Sequence, residues 1–352
     1  MIDRDDLRAA VAAGTLTEAQ AANLVALAAA RHDDRAAIRP NEEPFELFKG
    51  FNEIFIVVGL GILAFGWFGV WGLAVAASDN FRTTWLIAGG ATLVVTALLA
   101  EYFIRRRRMV APAIALTIGW AITAVGFWAM WNQSVTVLGG VDLTSSVLPL
   151  VLTTATTFAF WFRYRVPFAM AVIAASAFAA LIVWLAATSG QDVTTETLFR
   201  LSAAGPFAWG TLIFGLVLFA LAMRFDMSDR HRLSLRSANG FWLHVIAAPA
   251  IVNTLALTLL DRDSALSLIA LGVLLAVFAL VAIIIDRRSF LISAVGYIVA
   301  LVFIVTEGDG FAPVVLALGA ALVGLGAGWQ AIRARLLRGV PDAIRDRLPP
   351  SA

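Results

Sequence analysis

Five residues carry most of the chemistry that the apolar part of this chain offers. His244, Pro249 and Asn253 lie in one apolar stretch, Gly240–Leu260, and Ser293 and Tyr297 share a helical face of another. An imidazole, an amide and two hydroxyls can bind a neutral polar group or hydrogen-bond a neighbouring helix. Pro249 sits well inside its stretch, so it predicts a kink there. A nine-residue step turns His244 and Asn253 to roughly opposite faces at about 100° per residue. They line one cavity only if the kink unwinds the helix. These five residues are the candidate substrate-binding set, and helix–helix hydrogen bonding is the alternative use for them.

Ionisable groups inside a membrane are functional candidates by default, and here they are few. Glu53 lies one helical turn after Lys49 and Glu101 one turn before Arg105. Both spacings predict i, i+4 ion pairs at headgroup depth. Thr153, Thr156 and Thr157 cluster on one face, where hydroxyls bond their own backbone carbonyls. Pairs of acids deep in an apolar stretch, the mark of proton-coupled carriers, are not found. The chain contains no cysteine, which excludes disulfides, thiolate metal sites and cysteine nucleophiles. It has no phosphate-binding Gly-rich loop, no His-Glu-x-x-His and no Gly-x-Ser-x-Gly. His32, His231 and His244 fall in unrelated segments. The expectation is no catalytic residue, no metal site and no cofactor.

These residues need elements to hold them, and composition says which. Of 352 residues, 61% are hydrophobic and 14% charged. A soluble protein of this size cannot bury so much apolar surface, so the bilayer must solvate most of it. The formal charge of +2 gives no reason to invoke nucleic acid. A membrane helix needs roughly 20 apolar residues. That length predicts about ten spans: Ile54–Ala76, Thr84–Ile104, Met109–Trp131, Ser146–Phe162, Val166–Ala187, Pro206–Met223, Gly240–Leu260, Ser264–Ile285, Ser289–Thr306 and Phe311–Ala331. The fold class is all-α, a polytopic transmembrane helical bundle.

Arginine orients it. Arg105, Arg106, Arg107 and Arg108 stand between the second and third spans, where each would cost roughly 2.5–3.5 kcal/mol in mid-bilayer. Alternate connections continue the pattern with Arg163 and Arg165, with Arg224, Arg230, Arg232 and Arg236, and with Arg287 and Arg288. With the C-terminal tail that end holds seventeen arginines, against Arg82, Arg200 and Arg262 at the other. The positive-inside rule then places both termini in the cytoplasm of a bacterial inner membrane.

Residues 1–44 read as a cytoplasmic helical hairpin and linker. Gly14 ends a first helix, and Thr17 with Gln20 forms a capping box for a second. The thin apolar stripe of this hairpin is too small for a core of its own and fits a partner protein or the face of the membrane domain. Residues 45–332 form the transmembrane domain and 333–352 a basic cytoplasmic tail. Ala320, Gly324 and Gly328 give the last span a small-residue stripe that allows close helix approach, within or between protomers. Leu86-Ile87-Ala88 and Leu268-Ile269-Ala270 open spans that end on paired arginines, which suggests a parallel repeat of spans one to four in spans seven to ten.

In layout, and in Leu16-Thr17-Glu18-Ala19-Gln20 and Phe51-Asn52-Glu53-Ile54-Phe55, the chain resembles bacterial polytopic membrane families classed as domains of unknown function. That resemblance implies no activity. Ten spans with both ends inside also looks like the drug/metabolite transporter layout. That layout is built from inverted five-span halves, and the parallel repeat does not fit it. The expected function is a non-enzymatic inner-membrane scaffold or regulator, in contact with membrane lipid, whose residues 1–44 recruit a protein partner. The alternative is a permease for a neutral or apolar small solute.

Overall fold

In the computed structural model of the chain, the described residues are 10–11, 13–17, 20, 24, 52–133, 143–229, 234–262, 264–287, 299, 316, 319–320, 323–341 and 348. The chain divides into two compact units, Met1–Pro44 and Phe45–Ala352. In the first, Gly14 takes a left-handed φ of 70°, and the amides of Thr15 and Leu16 bond back to the carbonyl of Ala10. This is a helix ending on glycine, which has no Cβ to clash there. The expected capping box follows: Gln20 N donates to Thr17 Oγ1 at 3.2 Å and Thr17 N to Gln20 Oε1 at 2.9 Å.

The second unit is helical throughout its described residues. Its elements are α1 (Asn52–Ala76), α2 (Phe81–Ala100), α3 (Val110–Trp131), α4 (Leu143–Tyr164), α5 (Ala169–Ser189), the short α6 (Thr195–Phe199), α7 (Phe207–Ser228), α8 (Leu235–Leu260), α9 (Ala265–Ile284) and α10 (Trp329–Leu337). Among the described residues, eight helices are long and apolar enough to cross a membrane, α1 to α5 and α7 to α9. Their outward faces are apolar too: Phe65 is 85% exposed and Leu266 76%. Eight apolar rods with apolar outsides point to a multi-pass membrane protein. The expected ninth span, Ser289–Thr306, lies outside the described residues save position 299, and the tenth is described only in part. The suggested repeat cannot be compared over those spans.

Most helix ends fall within a few residues of expectation. Two departures matter. α4 begins at Leu143, so Pro149, expected in a first turn, lies in the helix interior. A proline there deprives the carbonyl four residues earlier of its donor. Asn132 supplies one: its Nδ2 donates to Ser145 O at 2.6 Å. Beyond Ala100, α2 does not stop but continues as a π-helical turn, Glu101–Arg106, closing on Arg108 at a left-handed φ of 51°.

Side-chain contacts tie the arginine-bearing turns together at one end. Glu101 Oε1 accepts from Arg105 Nη1 at 2.6 Å and from Arg163 Nη2 at 3.0 Å, joining the α2–α3 turn to the α4–α5 turn. Trp161 Nε1 donates to Asn239 Oδ1 at 3.3 Å, joining the end of α4 to the start of α8. Asp226 and Arg287 join α7 to the end of α9. At the opposite end Arg200 Nη1 donates to Asp261 Oδ1 at 2.8 Å and Arg82 Nη2 to Trp131 O at 2.8 Å. Among the described residues, Arg105, Arg163 and Arg287 therefore lie at one end of the bundle and Arg82 and Arg200 at the other. Half of α8's most apolar window is buried and none of α1's, so α8 is central and α1 peripheral.

Candidate functional site

The site is built on α7 and α8. On α7 the buried positions Phe207, Thr211, Gly215, Leu218, Ala222 and Asp226 step by three or four residues, one continuous helical stripe. Its last member is a carboxylate. Facing it, α8 presents Gly240 and His244, one turn apart. A Cβ at Gly240 would stand 2.6 Å from Asp226 Oδ1 and 3.1 Å from Ala222 O, so the helices meet here because position 240 has no side chain.

Three ionisable side chains converge. His244 Nε2 and Asp226 Oδ2 are 3.0 Å apart. Arg287 Nε donates to the same Oδ2 at 2.9 Å, and its Nη2 donates to Oδ1 and, at 2.8 Å, to the main-chain carbonyl of Ser237. His244 is fully buried, and Asp226 and Arg287 nearly so. With Arg287 occupying both carboxylate oxygens, the contact to Oδ2 is made by an imidazole that carries its proton on Nε2. The ring of Phe219 packs edge-on against His244 with centroids 5.5 Å apart. A guanidinium forked onto a carboxylate is the strongest arrangement such groups can make. The cluster fixes α7, α8 and the end of α9 to one another. Ser237 enters through its main-chain carbonyl.

Asp226 was not among the expected functional residues. The sixth span was ended at Met223, before Arg224, and the sequence was read as lacking deep acids. The helix instead runs to Ser228, and Asp226 turns inward while Arg224 stays exposed. The signal was available in the spacing, since Leu218, Ala222 and Asp226 fall at i, i+4 and i+8.

The other candidates are scattered. Pro249 lies within an unbroken α8 and borders a cavity of about 190 Å³ whose further lining includes Phe178, Thr211, Phe214, Val245 and Ala250. That lining is almost wholly apolar. Its polar features are Thr211 Oγ1, buried with no partner among the described residues, and the Val245 carbonyl, to which Pro249 cannot donate. Neither His244 nor Asn253 lines it; Asn253, half-buried, stands one turn beyond Pro249. Ser293, Tyr297 and Arg288 lie outside the described residues. Glu53 is buried and its Oε2 accepts from Ala111 N at 3.1 Å, capping the first turn of α3; its expected partner Lys49 is not described. Glu101 pairs with Arg105 as expected and with Arg163 besides. Arg107 donates to Tyr102 Oη. Thr153 and Thr156 bond the carbonyls of Pro149 and Leu152 as expected, but the buried Thr157 Oγ1 has no partner among the described residues. Ala320 and Gly324 are exposed, and a Cβ at Gly324 would meet nothing within 4 Å; at Gly328, half-buried, it would come within 3.1 Å of Gly324 O. α10 runs through the boundary expected at residue 332, and its Arg333 is buried. Among the described residues no group of three or more His, Asp or Glu can hold a metal ion.

No family model, no curated protein and no solved structure matches the chain.

Proposed function

We propose that the chain is a non-enzymatic membrane scaffold with a regulatory role, its residues 1–44 recruiting a cytoplasmic or membrane partner. One observation carries the reading: the most buried ionisable groups of the bundle, and several of its buried polar side chains, join its own helices to one another. Asp226 holds His244 and Arg287, Trp161 holds Asn239, and Trp67 Nε1 donates to Thr92 Oγ1 at 2.8 Å. The cavity beside Pro249 offers a polar solute little to bind. An interior used for internal cross-bracing suits a rigid platform more than a pathway.

In this reading the chain crosses a bacterial inner membrane ten times with both termini in the cytoplasm, where the seventeen arginines face. Reporters fused after Arg108 and after Asp309 are expected to land in opposite compartments. The same compartment for both would overturn the topology.

The recruiting role has its own test. Deleting residues 1–44 is expected to leave the membrane part inserted and to remove at least one crosslinked partner. The apolar positions Leu7, Val11, Leu24 and Leu27, too few for a core, are what such a partner would cover. An identical set of crosslinked proteins with and without the segment would sink the proposal.

A further inference from the structure

A long apolar groove lies between α1 and the α2–α3 pair. α1 leans on its neighbours through few buried side chains and leaves a groove along most of its length. One part of the groove, about 370 Å³, runs from Val57, Leu60 and Leu99 to Phe68, Thr92 and Thr123. A second, about 380 Å³, continues from the last three residues to Val75, Trp85 and Gly126. The hydrogen bond from Trp67 to Thr92 sits where the two parts meet. Gly61 and Gly119 line the first part, and a Cβ at either would meet nothing within 4 Å.

Length, section and charge select an occupant. From Val57 to Phe68 is eleven helical residues, roughly 16 Å at 1.5 Å each. That is about half of a hydrocarbon core some 30 Å thick, so the first part is as long as one leaflet. A volume of 370 Å³ over roughly 16 Å is a mean section of about 20 Å², the girth of one hydrocarbon chain and far below that of a helix about 10 Å across. Beyond its end stands the basic turn, with Arg105 six residues after Leu99, or roughly 9 Å. Among the described residues acid is scarce there: Glu101 is shared by Arg105 and Arg163, and the Glu53 carboxylate is turned inward onto the Ala111 amide. Arg106 and Arg107, both exposed, therefore present positive charge at headgroup depth on long side chains.

We propose that the half of the groove nearest the arginines is a binding site for one acyl chain of an anionic phospholipid, its phosphate held by the Arg105–Arg108 turn. The site is independent of the scaffold reading and of which compartment the turn faces. It also gives α1 a covered inner face, in place of the loose contact it makes with protein alone.

Native mass spectrometry of the detergent-purified full chain, equilibrated with equal phosphatidylglycerol and phosphatidylethanolamine of matched chains, tests it. The wild type is expected to retain one phosphatidylglycerol at least about five-fold over phosphatidylethanolamine. Gly61→Leu with Gly119→Leu, which fills the groove from positions with free space, is expected to abolish retention of either lipid. Arg106→Gln with Arg107→Gln, both exposed, is expected to keep one lipid bound while the preference falls to near one. Equal retention of the two lipids by the wild type, no retained lipid, or unchanged retention in the groove-filled variant would each overturn the proposal. The arginine variant alters only surface charge, so the test stands even if the filled variant fails to fold.

Discussion

Asp226→Ala is expected to lower the stability of the bundle by about 3–5 kcal/mol, the range for removing one partner of a buried ion pair. The size follows from what stays behind. Arg287 is 6% exposed and keeps its charge; without the carboxylate its guanidinium keeps the bond to the Ser237 carbonyl but loses both carboxylate oxygens. His244, fully buried, loses its partner as well. Asparagine does little better. Its amide nitrogen would stand where Oδ2 accepts from both Arg287 Nε and His244 Nε2, setting donor against donor. Removing both charges is a different matter. Asp226→Leu with Arg287→Met replaces the pair by apolar groups of similar size, which is often neutral or stabilising. The double variant is expected to regain most of the loss. Thermal unfolding of the three variants in one detergent measures this. A loss under about 1 kcal/mol for Asp226→Ala would mean that the cluster does not brace the bundle. A stable double variant that has lost its crosslinked partners would show the cluster serving recruitment as well as packing.

What was readable from the residues alone divides along a physical line. Apolar runs and their arginine turns were legible because the cost of a charge in hydrocarbon is large and local. The capping box of Thr17 and Gln20 was legible because both bonds close within three residues. The helix ends were not, because a charge ends a hydropathy window without ending a helix. Arg224 does this in α7, which runs past it to Asp226, and the polar Thr144 and Ser145 do the same at the start of α4. Distant pairing was hidden altogether. His244 stood out as an intramembrane histidine, yet Arg287 reaches Asp226 across 61 residues, and Glu53 caps a helix whose amide lies 58 residues away. Lys49, close in sequence, was the natural partner to expect for Glu53. A single chain offers no way to see that its carboxylate turns the other way.

Gly240 carries the second large effect. A methyl added there would lie 2.6 Å from Asp226 Oδ1 and 3.1 Å from Ala222 O. Neither neighbour can yield cheaply: the oxygen is held by Arg287, and Ala222 O is helix backbone. Gly240→Ala is therefore expected to force α7 and α8 apart and to cost about 1–3 kcal/mol, as overpacking does. This loss runs against helix propensity, which favours alanine over glycine. Gly61→Ala supplies the control, because its added methyl meets nothing within 4 Å; it is expected to cost nothing and, by helix propensity, to stabilise by up to about 1 kcal/mol. The two sites should also couple. With Asp226 already replaced by alanine, the carboxylate is gone and the added methyl has only Ala222 O to meet. The penalty of Gly240→Ala should then shrink by at least about 0.5 kcal/mol, a non-additivity expected only of residues in contact. Equal penalties in the two backgrounds, measured by thermal unfolding, would place the clash on the helix backbone and remove Asp226 from the reason why glycine stands at position 240.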